Sequence, residues 1–263
     1  MHPGAWLIWA LGAGTVAAST TNPFYLFPLV AVSYLVHSTH RGTGPQARSF
    51  RFFLTFAAFA FTTRTLFVAL TPGGPTWDGL WFDALEGARL ATLLIVFGTF
   101  NAVTDPFKVL RLAPRRFHEP ALAAALALSL TPRTLESVTQ VREAQRLRGM
   151  DVARWRSWAG LVIPVLETGM EQAVVLAESM DARGHGRTRR SRYRPERWTT
   201  GAMLIAAAAV AAAGPFVIAY LDHSGALSVP TYPIRWPSVS MWLLAGVFCL
   251  GMPALVPRHE ERR

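Results

Sequence analysis

The stretch GAMLIAAAAVAAAGPFVIAYL, residues 201–221, carries no charged side chain along its whole length. A helix needs about 20 mostly apolar residues to cross the hydrocarbon core of a bilayer. This stretch meets that requirement, and its segment 206–213 is alanine interrupted by a single valine. It reads as a spanning helix and sets the class of the whole chain. Five more candidates surround it, at residues 5–21, 23–36, 52–70, 84–103 and 239–256. A shorter apolar run at 120–130 falls below spanning length and reads as an interfacial or buried helix. The composition agrees. Of 263 residues, 51% are hydrophobic and 16% charged, against about 25% charged in soluble domains. Mean hydropathy is +0.27. The fold class expected is all-α, a polytopic membrane protein with about six transmembrane helices.

Loop charge predicts the orientation. Arg41, Arg48 and Arg51 follow the second span with no acid among them. Asp78 and Asp83 follow the third with no base between. Lys108, Arg111, Arg115 and Arg116 follow the fourth, a lone Arg235 lies between the last two, and Arg258, Arg262 and Arg263 end the chain. Basic loops stay in the cytoplasm, so both termini are expected inside. Three regions result. Residues 1–104 hold spans one to four. Residues 105–200 form a cytoplasmic module between spans four and five. Residues 201–263 hold the last two spans and a basic tail. Seven of the 26 basic residues fall between Arg183 and Arg197. A cluster beside a span suits anionic membrane lipids, and nucleic acid is not an expected partner.

The cytoplasmic module contains a repeat. Val141-Arg142-Glu143-Ala144-Gln145-Arg146-Leu147-Arg148-Gly149 aligns with Leu176-Ala177-Glu178-Ser179-Met180-Asp181-Ala182-Arg183-Gly184 at an offset of 35 residues. Each copy ends a helical pattern with glutamate, then arginine five residues later, then glycine. The first helix is expected to start at Thr131-Pro132, threonine capping and proline in the first turn. The second is expected to start near Pro164. Along it Leu166, Met170, Ala173, Ala177 and Met180 form one apolar face. Gly149 and Gly184 suit the left-handed residue that closes a helix. Two readings remain open at this point: ordinary C-terminal caps, or two equivalent docking points for a dimeric or pseudo-dimeric partner.

The paired segments resemble the Ala-Arg-Gly motifs of the transmembrane T component of energy-coupling factor (ECF) transporters, the EcfT/CbiQ/BioN family. Glu86-Gly87 followed by Arg89 is similar to that family's Glu-Gly…Arg stretch, and Thr104-Asp105-Pro106 to its Thr-x-Pro. The pattern of residues 110–132 matches as well. Leu147 stands where the family often has alanine. The resemblance implies a non-catalytic scaffold in a bacterial plasma membrane. Its partners would be two ATP-binding-cassette ATPases and a small substrate-binding membrane subunit, the S component. The cargo would be a vitamin or a transition-metal ion such as cobalt or nickel. It also implies that Ala144, Arg148 and Gly149 dock on one ATPase, and Ala182, Arg183 and Gly184 on the other. The stretch 155–166 would help to support the S component. No cofactor is expected on this chain, ATP being bound by the partners.

The residues exclude several chemistries independently. A phosphate-binding Walker loop needs Gly-Lys followed by Ser or Thr, and the sole lysine, Lys108, lies between Phe107 and Val109. His118-Glu119 lacks the second histidine of a zincin. The single Cys249 excludes an internal disulfide. No metal site is expected. Asp105, Glu119 and Glu136 are scattered, which disfavours the alternative of an integral-membrane enzyme acting on a lipid. His37 and His40 are expected at the interface, as are Trp6, Trp9, Trp77, Trp81, Trp236 and Trp242 as membrane-edge anchors. Arg64 and Arg89 lie inside spans, where a central arginine costs roughly 2.5–3.5 kcal/mol on insertion scales. Either they form structural pairs, Arg64 with Glu86 or Asp83, or they serve a transport path.

Overall fold

The structure is a computed structural model that describes residues 2–40, 46–67, 76–149, 158–185, 198–230 and 236–256. The described residues are helical and contain no strand, as an all-α membrane protein requires. The helices are α1 (Pro3–Ser19), α2 (Pro23–His40), α3 (Gln46–Leu66), α4 (Trp77–Val103), α5 (Pro106–Leu110), α6 (His118–Leu147), α7 (Trp158–Ala182), α8 (Thr200–Leu221), α9 (Met241–Cys249) and α10 (Met252–Leu255). Two of them, over residues 160–182 and 200–221, are long and apolar enough to cross a membrane. The chain divides into two compact units, Met1–Leu112 with Glu196–Arg263, and Ala113–Pro195. The basic run 187–197, Arg41, Trp155, Arg235 and the tail arginines lie outside the described residues.

In the first unit the alanine run explains itself. Ala202, Ile205, Ala209, Ala212 and Phe216 are buried along one face of α8. That face meets α1 at Gly12, where an added Cβ would lie 2.8 Å from the Ala209 carbonyl oxygen. Small residues let two helices approach when no water drives them together. The opposite face of α8, with Met203, Leu204, Val210 and Ile218, is exposed, as a lipid-facing surface should be. Helix α4 packs along α3 through a second close approach at Gly98, where a Cβ would fall 2.6 Å from that of Phe53.

Two expectations about this unit need correction. The span at 239–256 is broken: α9 ends at Cys249 and α10 begins at Met252. Pro253 has no amide to donate back to the Cys249 carbonyl, and the Leu250 carbonyl accepts instead from Trp9 Nε1 at 2.9 Å. Trp6 and Trp9 are therefore core residues, both buried, and not edge anchors. His37 and His40 are also buried, in the last turns of α2, where His37 stacks on Phe50 and His40 meets Trp6 edge-on. Their position at the end of α2 is the one expected, and their rings fill helix contacts there. Trp77, Trp81, Trp236 and Trp242 are exposed.

The second unit is built differently. Helices α6 and α7 pack on each other, and Gln145 Nε2 donates to the Gly160 carbonyl at 3.4 Å. Among the described residues of this unit, no hydrophobic side chain is buried. Helix α6 begins at His118, not Thr131, so the short run at 120–130 is its first half and Pro132 lies inside it. The Thr131 hydroxyl donates to the Ala127 carbonyl at 2.8 Å, a mid-helix bond and not a cap. Helix α7 likewise begins at Trp158 and carries Pro164 inside. Its expected apolar face is present, but Leu166, Met170, Ala173 and Ala177 are exposed.

Candidate functional site

The two repeat segments end their helices alike. At the end of α6 the Arg148 amide donates to the Ala144 carbonyl at 3.2 Å, and the Gly149 amide to the Arg146 carbonyl at 2.9 Å. At the end of α7 the Arg183 amide donates to the Ser179 carbonyl at 3.3 Å, and the Gly184 amide to the Asp181 carbonyl at 2.8 Å. A further bond from the His185 amide to the Met180 carbonyl, 3.0 Å, completes a Schellman cap. Gly149 has φ +76° and Gly184 φ +75°. Among the described residues a Cβ at either would meet nothing within 4 Å, so backbone handedness calls for glycine there. Ala144, Arg148, Ala182, Arg183 and His185 are exposed. Leu147 is 90% exposed, an apolar side chain held out at the tip of α6.

Thr104-Asp105-Pro106 is a joint. Thr104 is extended after α4, the Asp105 carboxylate accepts from the Phe107 amide at 2.9 Å, and Pro106 opens α5. Proline at the first helical position loses nothing, since that amide is unpaired anyway.

The charges expected inside spans pair, and the register of α4 decides how. Gly87 lets α3 come close, with an added Cβ 3.1 Å from the Phe61 carbonyl oxygen and 3.4 Å from the Arg64 Cβ. Asp83, one turn earlier, shares that face, and Arg64 Nη1 bonds its carboxylate. Of the two partners considered for Arg64, Asp83 is the one used. Glu86 bonds Arg89 Nη1 at 3.2 Å along the same helix. Glu86 and Arg89 line a cavity of about 350 Å³ together with Ser19, Thr21, Tyr220, Leu227 and Ser228.

Sequence reasoning missed the latch beneath that cavity. Asn22 is fully buried; its Nδ2 donates to the Ala226 and Ser238 carbonyls at 3.0 Å each, and its Oδ1 accepts from the Phe24 amide. The Thr20 hydroxyl donates to the Leu227 carbonyl at 2.7 Å, and Tyr25 Oη accepts from the Ser240 amide at 2.7 Å. The only available signal was Thr20-Thr21-Asn22-Pro23 placed between two apolar runs.

Residues 4–194 match the family model described as CbiQ, cobalt transport protein. Three proteins named energy-coupling factor transporter transmembrane protein EcfT are similar to the chain. The one from Heliobacterium modesticaldum is 32% identical over 184 residues, 62% of this chain and 69% of the relative. The one from Exiguobacterium sibiricum is 30% identical over 171 residues, 54% of this chain and 63% of the relative. The one from Lacticaseibacillus paracasei is 27% identical over 208 residues, 69% of this chain and 78% of the relative. With a family match that runs from the start of α1 through both repeat segments, the chain belongs to the EcfT/CbiQ family of membrane transport proteins.

Proposed function

We propose that this chain is the T component of an ECF importer in a bacterial plasma membrane. It crosses the bilayer several times, with both termini in the cytoplasm. It binds two ATP-binding-cassette ATPases and a substrate-binding S component, and carries motion from the first to the second. ATP and its hydrolysis stay with the ATPases, and selection of a vitamin or transition-metal cargo with the S component.

The observation that carries this reading is the pair of matched helix ends. Each presents an exposed arginine, Arg148 or Arg183, beside a glycine held in the left-handed region. A cation on a last helical turn is also favoured by the free carbonyls there. Nucleotide-driven closure of two ATPases would move two such tips relative to each other. Helix α6, 30 residues and about 45 Å long, is long enough to carry a displacement from a cytoplasmic ATPase toward the bilayer. The exposed apolar face of α7 supplies surface for the S component or lipid.

The test is affinity purification of the full complex carrying Arg148→Ala and Arg183→Ala together. Loss of both ATPases, with the S component retained, is expected. An intact complex with full uptake would overturn the assignment.

A further inference from the structure

The Glu86–Arg89 cavity lies level with the ends of α1 and α8, beside Ser19 and Tyr220. Tyr220, Trp81 and, at the start of α9, Trp242 are exposed near this level. Amphipathic aromatics of that kind mark the headgroup zone of a bilayer. The cavity is therefore a polar recess opening where lipid headgroups lie. Its volume, about 350 Å³, falls within the roughly 300–1,000 Å³ of small-molecule sites.

Its charges are incompletely used. Arg89 and Glu86 have side-chain exposures of 34% and 21%. They share one hydrogen bond, from Nη1 to Oε1. Among the described residues the buried Arg89 Nε has no hydrogen-bond partner. A guanidinium has five N–H donors and a carboxylate about four acceptor positions, so the part-exposed remainder of both groups is open to a ligand in the cavity. The pair is neutral overall. An anion placed on Arg89 would also meet the Glu86 carboxylate, which like-charge repulsion disfavours. A ligand with a phosphate and an ammonium a few atoms apart satisfies both ends.

We propose that this cavity seats the headgroup of a phospholipid of the ethanolamine class, its phosphate on Arg89 and its ammonium on Glu86. Phe82 and Leu85, which also line the cavity, meet the start of the acyl chains. The Ser19 and Ser228 hydroxyls, in the same lining, offer further hydrogen bonds to phosphate oxygens.

The test is mass spectrometry of lipids retained by the full chain. The protein is purified in mild detergent from membranes containing both phosphatidylethanolamine and phosphatidylglycerol. Wild type is expected to retain phosphatidylethanolamine preferentially. Glu86→Gln removes the ammonium partner and leaves Arg89 uncompensated, so the retained ratio should shift about tenfold toward phosphatidylglycerol, the factor carried by one charge-assisted contact. Arg89→Gln should lose both lipids. If Arg89→Gln fails to fold, Glu86→Gln still reads the same site through headgroup preference, which a merely structural role would not move. An unchanged ratio in folded Glu86→Gln overturns the proposal. So does binding of free O-phosphoethanolamine by a wild-type chain that retains no lipid, which would assign the site to a soluble zwitterion.

Discussion

Replacing Gly184 separates backbone handedness from space at a tip proposed to dock an ATPase. Gly184 sits at φ +75°, and among the described residues nothing lies within 4 Å of where a Cβ would go. Alanine there fits sterically against its surroundings but is held in the left-handed region, at roughly 1–2 kcal/mol. Asparagine enters that region more readily, because its short polar side chain bonds locally. A helix end opens at almost no cost, so the strain passes into binding. With about 1.4 kcal/mol per decade, Gly184→Ala should raise the apparent Kd for an ATPase about five- to thirty-fold. Gly184→Asn should stay within about threefold of wild type. The measurement is a titration of purified ATPase onto the full chain in nanodiscs, with circular dichroism confirming unchanged helix content. Gly149→Ala should repeat the effect at α6, which has the same φ to within a degree. Equal binding by the Ala and Asn variants, whether both strong or both weak, refutes the handedness argument.

Trp9→Phe keeps an aromatic ring and removes the donor to the Leu250 carbonyl. It should destabilise the chain by about 1–3 kcal/mol, read as a lower thermal midpoint in detergent; an unchanged midpoint would show that the α9–α10 break stands without this bond. Asn22→Ala removes three hydrogen bonds made by a buried side chain, each worth about 1 kcal/mol net. Limited proteolysis should then cut residues 222–240 faster, and wild-type kinetics would argue against the latch. A double-mutant cycle of Arg64→Gln with Asp83→Asn should show a coupling of about 0.5–3 kcal/mol. The Arg89–Glu86 pair, three residues apart on one helix and partly exposed, should couple by only about 0.2–0.5 kcal/mol. Equal couplings would contradict the registers described for α4.

The class of fold was legible because a low charge content and uninterrupted apolar runs leave too little polar surface to coat a water-soluble domain of this size. The helix ends at 149 and 184 were legible too, since glycine after a basic last turn is a local signal. Proline misled twice. Pro132 and Pro164 look like helix starts, yet both sit inside helices. Around them hydroxyls bond back to the backbone, Thr131 to Ala127 and Thr168 to the Pro164 carbonyl, so the local pattern did not reveal continuity. Trp6 and Trp9 misled for a different reason. Hydropathy places an indole near a span end but does not say which neighbour its ring faces, and for Trp9 the answer depends on a residue more than 200 positions away. The choice of Asp83 over Glu86 for Arg64 likewise needed the α3–α4 register that Gly87 permits.

Helices α6 and α7 pack together without burying a single hydrophobic side chain among the described residues. Ile163, Leu166, Met170, Val174 and Val175 remain uncovered on α7 alone. Exposed apolar area of this kind is what chaperones and proteases recognise in unassembled subunits. In the assembly proposed above, a copy of this chain without its partners leaves that face to lipid or to the cell's quality control. If the proposed assembly holds, its steady-state level in the cell should follow the scarcest of those partners, whatever the rate of its own synthesis.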